Sequence, residues 1–257
     1  MQIKLKKIVR ALANKLGYDI VRAYRPNEIK PSEIFHSLKY LRFTALKLEH
    51  LASLRIPVAG MSVLEVGAGI GDHSRYYIDR GCSITITEAR SENLKYLKMR
   101  YPHINVQFMD MERPSLLDSS PFDITHCYGL LYHLKNPEQA LEFISNNTNN
   151  ILFLETCVSF GETEELNPVA ENQNHVIEAY SGGGCRPTRS WVFNRLQALF
   201  KYVYIPKTQP NYDEFPIDWI HTEKHKSQKR AVFIASREKL ENEMLIPFLI
   251  NKQERHE

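Results

Sequence analysis

Val63-Leu64-Glu65-Val66-Gly67-Ala68-Gly69-Ile70-Gly71-Asp72 is the stretch on which the reading of the fold turns. A short apolar run, readable as a buried parallel strand, enters three glycines at alternate positions, and a helical pattern follows from His73 to Arg80. Glycines at a strand–helix junction let the backbone turn sharply and let a ligand lie against the main chain where a Cβ would collide. The ligand then sits beyond the carboxyl end of the strand, the place where open α/β sheets hold nucleotide-like cofactors.

Two cofactor classes use such a turn. Dinucleotide folds write it G-x-G-x-x-G and aim a helix N-terminus at a pyrophosphate. The spacing here is G-x-G-x-G, with Glu65 two residues before the first glycine and Asp72 opening the helix. An acid at that point repels a pyrophosphate and suits a cationic ligand. The run resembles motif I of the class I S-adenosylmethionine (AdoMet) methyltransferases, whose cofactor carries a sulfonium and an amino group and no phosphate. The resemblance implies cofactor contacts from Glu65, Gly67, Ala68, Gly69, Gly71 and Asp72.

Outward from the turn, strands and helices alternate, which argues a parallel sheet. Strands are expected at 62–66, 82–87, 104–109, 122–127, 150–157, 201–206 and 231–236, and helices at 32–54, 72–80, 91–100, 136–146 and 188–200. Glu88 ends the second strand, 21 positions after Gly67, near the separation at which a carboxylate accepts from both ribose hydroxyls; Ala89 follows it. Asp110 ends the third strand. It can accept from an adenine amino group while Met111 covers the ring, or it can close an Asx turn. The fourth strand runs into Tyr128-Gly129-Leu130-Leu131-Tyr132-His133-Leu134, followed by Asn136-Pro137 and a helix. This segment resembles the fourth motif of the superfamily that includes the tRNA wobble-uridine carboxymethyltransferases and many glycan and natural-product methyltransferases. The resemblance extends over about 61–206 and implies that Ala89, Tyr128 and Gly129 also border the cofactor.

Methyl transfer is an in-line displacement in which the cofactor supplies the activated carbon, so the protein contributes position and, for a hydroxyl acceptor, a base. His133 is the candidate base and Tyr132 the candidate positioning group; packing of the loop is the other reading for both. Glu155, His175, Arg186 and Arg189 are candidates on the acceptor side, the two arginines as a clamp for phosphate or carboxylate. Gly182-Gly183-Gly184 reads as a hinge for a lid or as a plain turn. No Asp-Asp-Asn grouping follows the fourth strand, so no metal is expected.

The chain has 257 residues, 43% hydrophobic and 25% charged, with net charge +3. That balance is too mild to argue for nucleic acid by itself. Four separated cysteines with no C-x-x-C pair read as reduced thiols of a cytoplasmic protein. No run reaches the roughly 18 apolar residues of a membrane span. Residues 2–16 pattern as a basic amphipathic helix, which can dock on the protein itself or lie peripherally on an inner-membrane surface.

These features predict a Rossmann-like α/β domain with a seven-stranded, mostly parallel sheet. Its expected organisation is a helical extension over 1–56, the methyltransferase domain over 57–240 with substrate-side insertions at 158–187 and 207–230, and a tail over 241–257. The expected activity is AdoMet-dependent O-methylation of a sugar, glycan or other small-molecule hydroxyl. RNA methylation and a non-catalytic AdoMet-binding module are the alternatives. The acidic first half of the 158–187 insertion (Glu162, Glu164, Glu165, Glu171) disfavours a phosphate-rich partner.

Overall fold

The computed structural model describes residues 31–115, 117, 121–221 and 228–257. The basic segment 2–16 and most of the basic stretch 221–230 lie outside these residues. The chain enters with two helices, α1 (Pro31–Phe35) and α2 (Leu38–Ser53). The single helix expected over 32–54 is broken at His36-Ser37, because the Ser37 side chain caps a new helix by accepting from the Tyr40 N–H. Leu38 and Leu41 are exposed, whereas Lys47, His50 and Leu51 are buried.

The body follows as β1 (Ser62–Val66), α3 (Ser74–Ile78), β2 (Ser83–Glu88), α4 (Ser91–Arg100), β3 (Asn105–Phe108), β4 (Phe122–Tyr128), a 3-10 turn (Leu131–His133), α5 (Pro137–Asn146) and β5 (Thr148–Val158). A short hairpin, β6 (Pro168–Ala170) with β7 (Gly183–Cys185), interrupts the alternation. After it come α6 (Arg189–Leu199), β8 (Tyr202–Pro206), β9 (Thr208–Gln209), β10 (Lys229–Ser236), β11 (Leu245–Ile246) and β12 (Glu254–Arg255). Local chemistry marks the helix starts. Pro137 occupies the first turn of α5, where its missing N–H costs nothing, and the Thr188 hydroxyl accepts from Trp191 N–H at the start of α6.

The main sheet has the order β11-β8-β10-β5-β4-β1-β2-β3. The strands from β5 to β3 pair in parallel, and β10, β8 and β11 are added antiparallel. It is a mixed α/β sheet of the Rossmann-like class with one strand more than expected, because Leu245–Ile246, from the stretch read as a tail, pairs with β8. One apolar cluster fills each face. The strand order reverses between β1 and β4, so their carboxyl ends splay apart and open a crevice. Cys127, Cys157 and Cys185 are buried free thiols, and Cys82 is half-buried.

Candidate functional site

The crevice is a cavity of about 1190 Å³ including its open mouth. At its head lies the β1–α3 bend. Gly67 (φ 65°) and Gly71 (φ 78°) are left-handed, the region where side chains strain the backbone. A Cβ on Gly67 would meet the Leu130 side chain at 2.8 Å, and one on Gly71 would meet Leu97 and Tyr101 at 2.7 Å. The first glycine thus admits the loop after β4, and the third lets α4 pack on the bend. Asp72 lines the cavity with its charge answered by Arg100 Nη1 at 2.5 Å.

The carboxylates expected at successive strand tips are brought together. Glu88 lines the cavity, accepting from Gly69 N–H and Arg90 N–H at 2.8 Å each. Burial raises its pKa and these N–H groups oppose the rise. Asp110 lines the cavity and also closes an Asx turn by accepting from Glu112 N–H at 3.0 Å, so its two readings are compatible. Met111, Ala89, Ala68, Tyr128 and Gly129 line the same space. Glu65 lies at its floor, bonded to the Ser74 hydroxyl, and burial raises its pKa to about 8.

This head fits an adenosyl cofactor: two carboxylates can accept from ribose hydroxyls and an adenine amino group, methionine side chains can cover a ring face, and the bend carries Asp72 where a phosphate would need a donor. Glu88, Asp110, Met111 and the Gly67–Gly69 backbone would hold such a group, which supplies a methyl carbon activated by a sulfonium.

The far half is walled by Tyr40, Phe43, Thr44 and Lys47 of α2, by Tyr132 and His133 of the 3-10 turn, and by Arg230 of β10. Here lies the most buried charge network of the described residues. Arg230 donates to Glu155 (2.8 Å), Glu214 (2.8 Å) and the Tyr132 hydroxyl (3.1 Å), and Lys47 Nζ stands 3.6 Å from Glu155. Burial alone would raise the Glu155 pKa; Arg230 and Lys47 outweigh it and hold the carboxyl below its ordinary value. Burial pushes the Tyr132 hydroxyl far up, so it stays protonated.

His133 Nδ1 faces Glu171 Oε2 at 2.5 Å. Burial keeps the imidazole neutral by lowering its pKa, and Glu171 opposes that. Bonds from His133, Ala179 N–H and Arg186 overcome the burial of Glu171 and hold its carboxylate at about 2. Nδ1 therefore carries the proton, which leaves the Nε2 lone pair free to accept one.

None of the four acceptor-side candidates lies among the residues that line the cavity. Arg189 is buried against the Trp219 ring (4.0 Å) and donates to Ile250 carbonyl, turned away from the cavity by the packing of α6. His175 sits in the β6–β7 loop, partly exposed and paired with Glu178 at 3.7 Å, off the cavity wall. Arg186 stands behind the wall, spent on Glu171, Tyr132 carbonyl and Cys185 carbonyl. The arginines therefore form no clamp. Glu155 lies just under Gly129, beside the wall.

The glycine triplet is no hinge either. Gly183 and Gly184 are buried in β7, and a Cβ on Gly184 would collide with the Tyr132 carbonyl oxygen and approach His133 Cα at 3.2 Å. The loop between β6 and β7 instead roofs the cavity with Val176, Ile177, Tyr180 and Ser181. Arg90 donates to Gln173 and Glu178 carbonyls, and Lys135 to Ser181 carbonyl, holding the roof down.

Sequence reading missed the α2 wall, His73, His126, Arg230 and Glu171. The signal for Lys47 was its spacing from Tyr40 and Phe43, seven and four residues, which puts a cation in an aromatic stripe. Glu65, His73 and His126 are also the one group of metal-ligating side chains, among the described residues, whose ligand atoms lie within 4.8 Å of one another. No helix among the described residues is long and apolar enough to cross a membrane.

Residues 63–149 match a family model described as a methyltransferase domain. A ubiquinone biosynthesis O-methyltransferase of Psychrobacter arcticus is 25% identical over 122 residues, which are 45% of this chain and 48% of that protein. The chain thus matches about half the length of that relative. Among solved structures, the N-terminal domain of EvdMO1 with S-adenosylhomocysteine (SAH) and D-fucose superposes with a TM-score of 0.56 at 16% identity, over 90% of this chain and 96% of that one. The magnesium protoporphyrin IX methyltransferase of Synechocystis PCC 6803 with bound AdoMet gives 0.55 at 13% identity, over 91% and 97%.

Proposed function

From the premise that the chain carries a class I AdoMet-dependent methyltransferase domain, with AdoMet as its cofactor, we propose that it methylates a hydroxyl of a sugar, glycan or other small molecule. The observation that carries the reading is the Glu171–His133 pair beside a cavity whose head fits an adenosyl group.

An alcohol is a poor nucleophile until its proton leaves. His133 Nε2 would take that proton, and a bound cofactor would supply the methyl carbon activated by its sulfonium. Glu171 fixes the tautomer and stabilises the imidazolium, the division of labour of a carboxylate–histidine pair in hydrolases. Tyr132, held by Arg230, offers its protonated hydroxyl to orient the acceptor. The four charges of Lys47, Arg230, Glu155 and Glu214 sum to zero, so the acceptor half neither repels a sulfonium nor demands a charged substrate. The EvdMO1 domain was crystallised with a sugar and the Psychrobacter relative is named an O-methyltransferase; both names support a hydroxyl acceptor.

The test is incubation with methyl-labelled AdoMet and a panel of nucleotide sugars, lipid-linked glycans, free deoxysugars and phenols. Label should appear on an oxygen of one of them. Label found on tRNA alone would overturn the reading.

A further inference from the structure

We infer that Arg90 is a positioning residue for the base: through one peptide unit of the roof it holds Glu171, and with it His133, in the arrangement that leaves Nε2 free. The inference rests on His133 acting as the base of the proposed reaction.

The peptide between Glu178 and Ala179 is gripped on both sides. Its carbonyl accepts from Arg90 Nη2 at 2.7 Å, and its N–H donates to Glu171 Oε2 at 2.7 Å. The same Oε2 accepts from His133 Nδ1. A carboxylate oxygen has two lone pairs, and these two donors fill them. The other oxygen, Oε1, is held by Arg186 Nη2 at 3.0 Å. Held there alone, the carboxylate would be free to turn about Oε1 and carry Oε2 away from the imidazole. The Ala179 N–H prevents that turn, so the place of this one peptide decides where Oε2 sits.

Arg90 sets that place from outside the loop. Its Nη1 donates to Gln173 carbonyl at 3.0 Å, so the guanidinium brackets the chain between Gln173 and Glu178. Inside the bracket the loop is tied to itself. Asn172 N–H donates to a Glu178 carboxylate oxygen at 2.6 Å, and Glu178 N–H to His175 carbonyl at 3.1 Å. A loop closed on itself in this way moves as a unit, and its position over the 3-10 turn depends on what holds it from the body. Arg90 stands just past the tip of β2, where its own N–H donates to Glu88 at 2.8 Å. The strand tip read as the ribose contact therefore also aims the base.

Nitrogen NMR on the full chain with isotope-labelled histidine reads which ring nitrogen of His133 carries the proton; the signal is identified by its loss in His133→Gln. Wild type should hold the proton on Nδ1. Arg90→Met removes both bonds to the roof and should raise the ratio of Nε2–H to Nδ1–H tautomer about fivefold, the equivalent of one ordinary hydrogen bond. Arg90→Lys, which keeps a donor for the Glu178 carbonyl, should stay within roughly twofold of wild type. Lys135→Met cuts the other tie of the roof, to Ser181 carbonyl, without touching the 178–179 peptide, and should leave the ratio unmoved. An unchanged ratio in Arg90→Met, or an equal rise in Lys135→Met, would overturn the role of Arg90 and leave the base in place. A wild-type proton on Nε2 would overturn the base reading itself, and the role of Arg90 with it.

Discussion

Replacing Gly184 by alanine and, separately, Gly183 by alanine tests whether the β6–β7 hairpin is a wedge or a hinge. Neither glycine is among those with a left-handed backbone, so alanine is acceptable to the chain at both, and the difference is steric. At Gly184 the new methyl would be driven into the Tyr132 carbonyl oxygen, with His133 Cα at 3.2 Å and a Glu171 oxygen at 3.1 Å. Two of those three are backbone atoms of the turn that carries the proposed base, and they cannot swing away. Overpacking against fixed atoms costs about 1–3 kcal/mol, and this site belongs at the upper end. At Gly183 the obstacle is the Lys135 side chain, nearest at 2.5 Å, which is flexible and exposed enough to move. Its lost bond to Ser181 carbonyl, about 1 kcal/mol, is offset by the roughly 0.4–1 kcal/mol that alanine removes from the unfolded chain's entropy.

Gly183→Ala should therefore melt within a degree or two of wild type. Gly184→Ala should melt roughly 6–12 °C lower, at about 2–4 °C per kcal/mol for a chain of this size. Scanning calorimetry reads both. Displacement of Tyr132 and His133 adds a second readout, lower turnover in Gly184→Ala with SAH affinity nearly intact, because the adenosyl head lies elsewhere. Equal melting temperatures for the two variants would refute the wedge and restore the hinge.

Glu88→Ala should lower SAH affinity by roughly 10–150-fold in calorimetry, since it removes the carboxylate proposed to accept from the ribose and the tie to Gly69 N–H. Arg230→Leu leaves Glu155, fully buried, with only Lys47 at 3.6 Å; urea denaturation should show a loss of about 3–5 kcal/mol, much of it recovered in Arg230→Leu/Glu155→Leu. Thermal stability should peak near pH 6.5. His126, held at about 3, and His50, at about 4, take up protons only when unfolded as the pH falls below 6.5, which costs about 1.4 kcal/mol per pH unit each. Glu65, raised to about 8, acts oppositely: its contribution is complete below 4.5 and is lost as the pH rises through 8, so Glu65→Gln should flatten the alkaline side of the melting profile.

The alternation of strands and helices through β5 and the residues at the head of the cavity were legible because their signals are local. A glycine bend, an acid at the end of β2 and another after β3 each lie within a few residues of the element that positions them, and helix α4 was placed at its observed bounds, Ser91–Arg100. The acceptor half was not legible for the opposite reason. Glu171 reaches His133 across 38 residues and Arg230 reaches Tyr132 across 98, and no pattern within one sequence reports such a meeting. The arginines failed as a clamp because a sequence shows charge and not its partner. Arg186 was answered by Glu171, and Arg189 was buried on Trp219.

Lys47 shows where the boundary of the site lies. A lysine buried to this degree is costly unless a carboxylate meets it, and the carboxylate is Glu155, more than a hundred residues away in the centre of the sheet. Glu155 in turn needs both cations, because Arg230 alone leaves its second oxygen without a hydrogen bond. The next helical turns repeat the tie. His50 Nε2 meets Thr208 carbonyl at 3.0 Å, and Leu54 carbonyl accepts from Asn242. Helix α2 is thus fastened to β5, β9 and the segment before β11 by bonds that close only when the sheet is complete. A chain begun after Ser53 would therefore leave Glu155 one cation short at the bottom of an open cleft.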